Sequence, residues 1–447
     1  MKRYRVSRAP GPLRGTVKVP GDKSIGHRAL IFGALGRGRT QVEGLSGGLD
    51  NQATADAFRA MGVHIELSGT RAVIDGVGLF GLKMPAGAID CGNSGTTMRM
   101  VAGILAAQRF GTRLIGDVSL TKRPMKRIIE PLRARGAHIA GSPGKKEGES
   151  YPPLSVAPLV EGEFLRGMEY SMTVASAQVK SALLLSGLYA DGPTAVSEPV
   201  LSRDHTERMM MALGVPLETV GPAVILDPEG WDRGWDAVDW TVPGDPSSAA
   251  FIAAAAAMVP GSDVTIEGVC TNPTRTGFFE VLSAMGGKGE VVPRGDAAGG
   301  EPLSNIRVVG SALEGARTGG EQVTRMIDEV PILAAMAARA KGSTEVRDAH
   351  ELRVKESDRI ATMASVLRAF SIDCDELPDG LVIRGGSPKA GHVRSEHDHR
   401  IAMSAAILGL VSDGETIVDD VECVETSFPG FPALLRSLGA VITEETV

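Results

Sequence analysis

The sequence predicts an α/β protein built from six copies of one unit, three in each of two similar domains. Three observations carry that expectation. One element recurs: the end of an amphipathic helix, a small residue, then a short apolar strand. It reads AFRAMGVHIEL at 57–67, LRARGAHIA at 132–140, MMALGVPLETV at 210–220, LSAMGGKGEVV at 282–292, LRAFSIDCDEL at 367–377 and LRSLGAVIT at 435–443. Its small residue is Gly62, Gly136, Gly214, Gly286, Ser371 and Gly439 in turn. Glycine just past a helix end is the expected C-terminal cap, since it takes the left-handed conformation without a Cβ clash. Six such elements at near-even spacing mark a repeat. The second observation is the tetrapeptide Val-Pro-Gly-Asp at 19–22 and 242–245, ahead of the first three markers and then the last three. The third is size: 447 residues, 43% hydrophobic and 23% charged, make a globular chain too long for a single core.

The two tetrapeptides read as hinges, near 19–22 and 242–245. Residues 1–20 with 244–447 are expected to form one discontinuous domain, with the strand at about Arg5 to Pro20 returning to the second half. Residues 21–243 form the other. Two such lobes suggest a cleft between them that closes on a ligand. A net charge of −7 and only 4% aromatics argue against nucleic-acid binding. Cys91, Cys270, Cys374 and Cys423 are far apart, with neither a disulfide framework nor zinc-ligand spacing, which suits a reduced, cytoplasmic protein. The N-terminal stretch is basic without an apolar signal core. The longest apolar run, Ala249 to Val259, is too short to span a bilayer and reads as a buried helix, so no membrane partner is expected.

Basic clusters recur where loops enter helices, a place suited to anions. In Pro20-Gly21-Asp22-Lys23-Ser24-Ile25-Gly26-His27-Arg28, an ammonium, a hydroxyl and a guanidinium follow a Pro-Gly break. Cys91 to Arg99 (CGNSGTTMR) is a small-residue loop whose Gly95 allows close approach to backbone N–H groups. Lys122, Arg123, Lys126 and Arg127 surround Pro124, placing Arg123 at a helix mouth. Ser176-Ala177-Gln178-Val179-Lys180-Ser181 offers uncharged hydrogen-bonding groups, and Arg203 to Arg208 opens another helix. The densest cluster is Leu352 to Arg359, where a helix from about Ser357 to Phe370 is expected to carry Lys355 and Arg359 near its first turn. Cations there oppose the helix dipole and call for a bound anion. Glu356 is their proton-transferring neighbour, and Asp328 opens a further helix. Ser395 to Arg400 (SEHDHR) lacks helical metal-ligand spacing, so no metal is expected. P-loop and dinucleotide fingerprints are absent, and no cofactor is expected. Lys23, Arg28, Arg123, Arg353, Lys355, Arg359 and Arg400 together describe a two-lobed enzyme for phosphorylated or carboxylated small molecules.

These motifs resemble the enolpyruvyl transferases along essentially the whole chain, as PGDKSIGHR, GNSGTTMR, LTKRP, SAQVKSALL, RDHTERM, VPGDPSSAAF, DEVPILA, LRVKESDRI and DHRIAMS in the family's order. Within the family they resemble the branch acting on shikimate 3-phosphate, and the SAQVK, RDHTE and DEVP wording resembles its class II form. The resemblance implies two inverse α/β barrels, each with threefold repeats around a hinge, in a monomer. It implies transfer of enolpyruvyl from phosphoenolpyruvate to the 5-hydroxyl of shikimate 3-phosphate. On this resemblance Lys23, Ser24, Arg28, Ser176, Ala177, Gln178, Arg203, Asp328 and Lys355 serve shikimate 3-phosphate. Lys23, Gly95, Arg123, Gln178, Arg359 and Arg400 serve phosphoenolpyruvate. Asp328 takes the hydroxyl proton, and Glu356 with Lys23 moves the proton at the methylene carbon. Some class II members carry alanine at the Gly95 position, which crowds out glyphosate, so glyphosate is expected to inhibit here. The related enzymes acting on UDP-N-acetylglucosamine use a cysteine in the loop matching Leu120 to Pro124, where this chain has none, and read Lys-Asn in the first motif. A non-catalytic phosphometabolite-binding module would need the arginines but neither Asp328 nor Glu356.

Overall fold

The computed structural model describes residues 2–144, 147–297 and 299–446. All six marker residues lie past a helix end with positive φ, between 61° and 105°, the serine included. Each donates its N–H to the carbonyl three residues back. The following N–H reaches the carbonyl five residues back, at 2.8–3.1 Å in every copy, as Val63 to Phe58 and Ile372 to Leu367 do. That is the left-handed cap the repeat requires. Beyond each cap lies one strand of a four-stranded sheet, and the described residues form six such sheets. In each, an edge strand runs parallel to a second, the second is antiparallel to a third, and the fourth lies beside the third. The α/β fold of repeated units is thus present as separate sheets, with no closed barrel among the described residues.

The chain forms two compact units. The first holds Met1–Asp22, Pro243–Gly295 and Pro302–Val447, and the second holds Lys23–Val242 and Asp296–Glu301. The short segment Asp296–Glu301 corrects the sequence reading, which kept it in the discontinuous domain. His205 Nδ1 and Glu301 Oε1, both fully buried, lie 2.7 Å apart and fasten that segment beside the helix His205–Ala212. Both N-terminal strands belong to the first unit. Lys2–Ser7 pairs with Glu415–Asp419 and Val441–Thr446, and Arg14–Val17 runs parallel to Asp263–Cys270.

Three helices form the centre of each unit. In the first these are Pro246–Met258, Val330–Ala337 and His399–Gly409, with every residue buried. Their alanine-rich, all-round apolar sequences suit burial on every face. The second unit uses Lys23–Leu35, Gly95–Leu105 and Ala177–Gly187. Gly103 sets their spacing, because a methyl there would sit 2.3 Å from the Ala182 carbonyl oxygen.

The two Val-Pro-Gly-Asp tetrapeptides pair with each other inside the first unit. Asp22 N donates to Pro243 O at 2.7 Å and Asp245 N to Pro20 O at 2.9 Å. Arg275 lies between their aspartates, with Nη1 on Asp22 Oδ2 at 2.8 Å and Nη2 on Asp245 Oδ1 at 3.2 Å. Burial alone would lower the Arg275 pKa, but the two carboxylates outweigh it and keep the guanidinium charged. Burial, and then Asp22, push Asp245 above its ordinary range.

The caps are not equal in strain. A non-glycine residue in the left-handed region costs about 1 kcal/mol. Ser371→Gly should therefore raise the unfolding free energy by up to about 1 kcal/mol, while Gly214→Ala, with open space around its Cβ, should lower it by about the same amount. Urea unfolding of the two variants checks both signs.

Candidate active site

Several of the residues singled out by the sequence stand at helix starts, Lys23, Gly95, Ala177 and Gln178 in the second unit and Arg359 and Arg400 in the first, where helix N–H groups and the helix dipole favour anions. In the first unit Arg359 is the hub. Its buried guanidinium donates to Asp398 Oδ2 at 2.8 Å, Asp328 Oδ1 at 3.1 Å and Glu356 Oε2 at 2.6 Å. Lys355 Nζ lies 3.5 Å from Asp328 Oδ1, and Arg400 Nη1 donates to the Asp328 carbonyl at 2.8 Å. Five predicted residues, Asp328, Lys355, Glu356, Arg359 and Arg400, are thus brought together.

Three details differ from the sequence reading. The helix starts at Arg359, because the Asp358 side chain caps it by accepting from Ala361 N at 3.1 Å, so Lys355 precedes the helix. Three carboxylates answer the Arg359 charge, so its place at a helix start needs no bound anion. Arg353 is tied to Asp358, Glu376 and the carbonyls of Leu377 and Pro378 instead of joining the cluster.

Asp398 is one residue whose place the sequence did not reveal. Glu396 and His397 both have positive φ, and Asp398 N closes the turn on Ser395 O at 3.0 Å. This geometry normally calls for glycine or asparagine. It turns Asp398 inward, where it caps the helix His399–Gly409 through Arg400 N and receives Arg359 and Ser357. Burial pushes its carboxyl up, but the opposing interactions, led by the charge and hydrogen bond of Arg359, together hold it below the usual carboxylate range.

In the second unit Lys23 opens the first central helix and pairs with Asp50 at 2.7 Å. Arg28, which is buried, donates to Ser24 O, Ser181 Oγ and Thr206 Oγ1 at 2.8, 2.7 and 2.6 Å. Ser176 caps the helix beginning at Ala177. Gln178 accepts from Arg99 Nη1 at 2.7 Å and donates to Thr96 Oγ1 at 2.8 Å. Arg123 donates to Asn93 Oδ1 at 2.7 Å. A Cβ on Gly95 would lie 2.6 Å from Arg99 Nη1 and 3.3 Å from Arg123 Nη1, so the bare glycine faces two guanidinium groups. Arg99 was missed as a site residue, although the motif GNSGTTMR contains it. Arg203 stands part-exposed two residues before the helix His205–Ala212.

Among the described residues, one group has metal-ligand character. Candidate donor atoms of Asp204, His205 and Glu301 lie within 4.8 Å of one another, with the His205–Glu301 pair already satisfying itself. Burial pushes Cys91 and Cys423 up to about 12, so neither is poised as a thiolate. No helix of the described residues is long and apolar enough to cross a membrane.

The profile of the EPSP synthase family (3-phosphoshikimate 1-carboxyvinyltransferase) matches residues 7–435. The chain belongs to the EPSP synthase family. It is 49% identical over 441 residues to a 3-phosphoshikimate 1-carboxyvinyltransferase of Geobacter metallireducens, covering 98% of this chain and 100% of that one. It is also 49% identical over 444 residues to one of Acidithiobacillus ferrooxidans, covering 99% of each. The solved structure of EPSP synthase from Acinetobacter baumannii superposes with a TM-score of 0.87 at 44% identity, covering all of both chains.

In this member of the EPSP synthase family, the depressed Asp398 pKa has a definite signature. Its stabilising effect is fully present above the unfolded value, about 3.9, and is lost as pH falls through the lower folded value. Asp398→Asn should be less stable near neutrality and fall less steeply below about pH 4. Urea unfolding across pH tests this; parallel curves for the two proteins would refute it.

Proposed function

We propose that this chain transfers the enolpyruvyl group of phosphoenolpyruvate to the 5-hydroxyl of shikimate 3-phosphate and releases inorganic phosphate. The observation that carries the reading is the pair of carboxylates, Asp328 and Glu356, on one buried guanidinium beside Lys355 and Arg400. Such a group can bind an anion and move protons at the same place. Family membership supplies the substrate pair. A pure binding module has no use for two acids set on the arginine that would hold the ligand.

In this scheme Arg123, Arg359 and Arg400 hold the phosphate and carboxylate of phosphoenolpyruvate, with Gly95 giving the ligand room. Lys23, Ser24, Arg28, Ser176, Ala177, Gln178, Arg203 and Lys355 hold the acceptor, and Lys23 and Gln178 serve both substrates. Glu356 with Lys23 delivers a proton to the methylene carbon, leaving positive charge on the neighbouring carbon. The acceptor oxygen attacks that carbon as Asp328 takes its proton, which gives a tetrahedral phosphate-bearing adduct. Loss of a methyl proton to the same acid–base pair and cleavage of the carbon–oxygen bond to phosphate yield the product. Fixed carboxylates near the developing cation and guanidinium groups on the phosphate lower the barrier without reorganising solvent. The same reading makes the protein a cytoplasmic monomer.

Phosphate release from phosphoenolpyruvate, with chelator present, should occur with shikimate 3-phosphate and not with UDP-N-acetylglucosamine. Release with the sugar nucleotide alone would move the activity to the sister reaction. Asp328→Ala should lose on the order of 10²–10⁴ in kcat while still binding shikimate 3-phosphate in calorimetry; retained turnover would remove Asp328 as the base.

Glyphosate should compete with phosphoenolpyruvate. Gly95→Ala, whose methyl takes the space before Arg99 and Arg123, should weaken inhibition by at least about tenfold. An unchanged inhibition constant would refute this.

A further inference from the structure

The lysine of the SAQVK motif has no part in that scheme, yet among the described residues it is the most deeply placed ammonium of the second unit. Lys180 is fully buried, and its Nζ lies 2.6 Å from Glu198 Oε1 and 2.6 Å from Glu207 Oε1. Glu198 in turn accepts from Ser202 N at 2.8 Å and Ser202 Oγ at 2.6 Å. One ammonium therefore ties together the helix Ala177–Gly187, the segment from Glu198 to Ser202 and the helix His205–Ala212. Burial opposes the charge on Lys180, but the two glutamates outweigh it and raise its pKa. Buried ion groups of this kind add little net stability over apolar packing, and their best-attested use is to fix geometry.

The geometry they fix is that of Arg28. Ser181 directly follows Lys180, and Thr206 directly precedes Glu207. These two hydroxyls receive Arg28 Nη2 and Nε at 2.7 and 2.6 Å and lie 2.6 Å from each other. Any slip between the two helices would separate them and release the guanidinium from its orientation. We infer that Lys180, with Glu198 and Glu207, is a positioning residue for acceptor binding, fixing the Ser181–Thr206 cradle that aims Arg28. The inference rests on the reading above that Arg28 holds shikimate 3-phosphate.

The direct variant, Lys180→Met, leaves two buried carboxylates facing each other and risks unfolding. Glu207→Gln keeps the shape and leaves Lys180 paired with Glu198. In the full-length protein, with folding checked by thermal unfolding, Glu207→Gln should weaken shikimate 3-phosphate binding in calorimetry by about tenfold. The KM for phosphoenolpyruvate should stay within about twofold. In an Arg28→Lys background the same change should have almost no further effect, because both act through one guanidinium. Equal loss for both substrates, full additivity with Arg28→Lys, or unaltered affinity in a folded Glu207→Gln protein would each overturn the inference. Unaltered affinity in Arg28→Lys itself would overturn the acceptor assignment, and the inference with it.

Discussion

One buried guanidinium stands where the chain passes between its two units. Arg275 bonds to Asp22 and Asp245, the last residues of the two Val-Pro-Gly-Asp tetrapeptides, and so fixes both crossings against one side chain. Removing one partner of such a group leaves an uncompensated buried charge, at about 3–5 kcal/mol. The arrangement continues inward. Arg275 Nη2 also donates to Ser247 Oγ at 2.8 Å, Ser247 Oγ donates to Glu329 Oε1, and Glu329 Oε1 lies 3.5 Å from Arg400 Nη1. The crossings and a cation of the candidate site therefore belong to one polar chain, and neither can shift without disturbing the other.

That site is better described as exchange than as attraction. Arg359 and Lys355 already have carboxylate partners, and Arg400 lies against the Asp328 carbonyl and Glu329. On the proposed reading, an incoming phosphate or carboxylate would have to replace one of these partners instead of filling a bare positive pocket. Such pairing weakens anion affinity but holds each donor in place beforehand, the condition under which fixed charges stabilise a transition state. It also keeps the acids Asp328 and Glu356 on the Arg359 guanidinium.

The repeat was legible because a helix cap writes itself into the sequence as glycine, and the pattern was strong enough to place Ser371 in the series; its left-handed backbone is seen only in the structure. Cations at helix starts were legible for the same local reason. What the sequence did not reveal is contact made across distance. Arg353 belongs to the same run as Lys355, but its bonds to Glu376 and two carbonyls come from a strand some twenty residues on. Asp398 was hidden because its turn uses Glu396 and His397 where glycine would have announced it. The excursion of Asp296–Glu301 into the other unit leaves no periodicity to read, only a buried pair with His205.

The nested order of the chain has a kinetic meaning. Nearly all of the second unit is one continuous stretch, so it can form while the remainder is still being synthesised. Its folding would bring Asp22 and Pro243 to within one hydrogen bond and remove a closure cost of roughly 5 kcal/mol for a loop of about 220 residues. The N-terminal strands must wait longer. Lys2–Ser7 completes its sheet only with residues from Glu415 onward, and the pair Arg5–Glu415 spans 410 positions. Until then the backbone edges of this strand stand unpaired, with Tyr4 and Val6 uncovered.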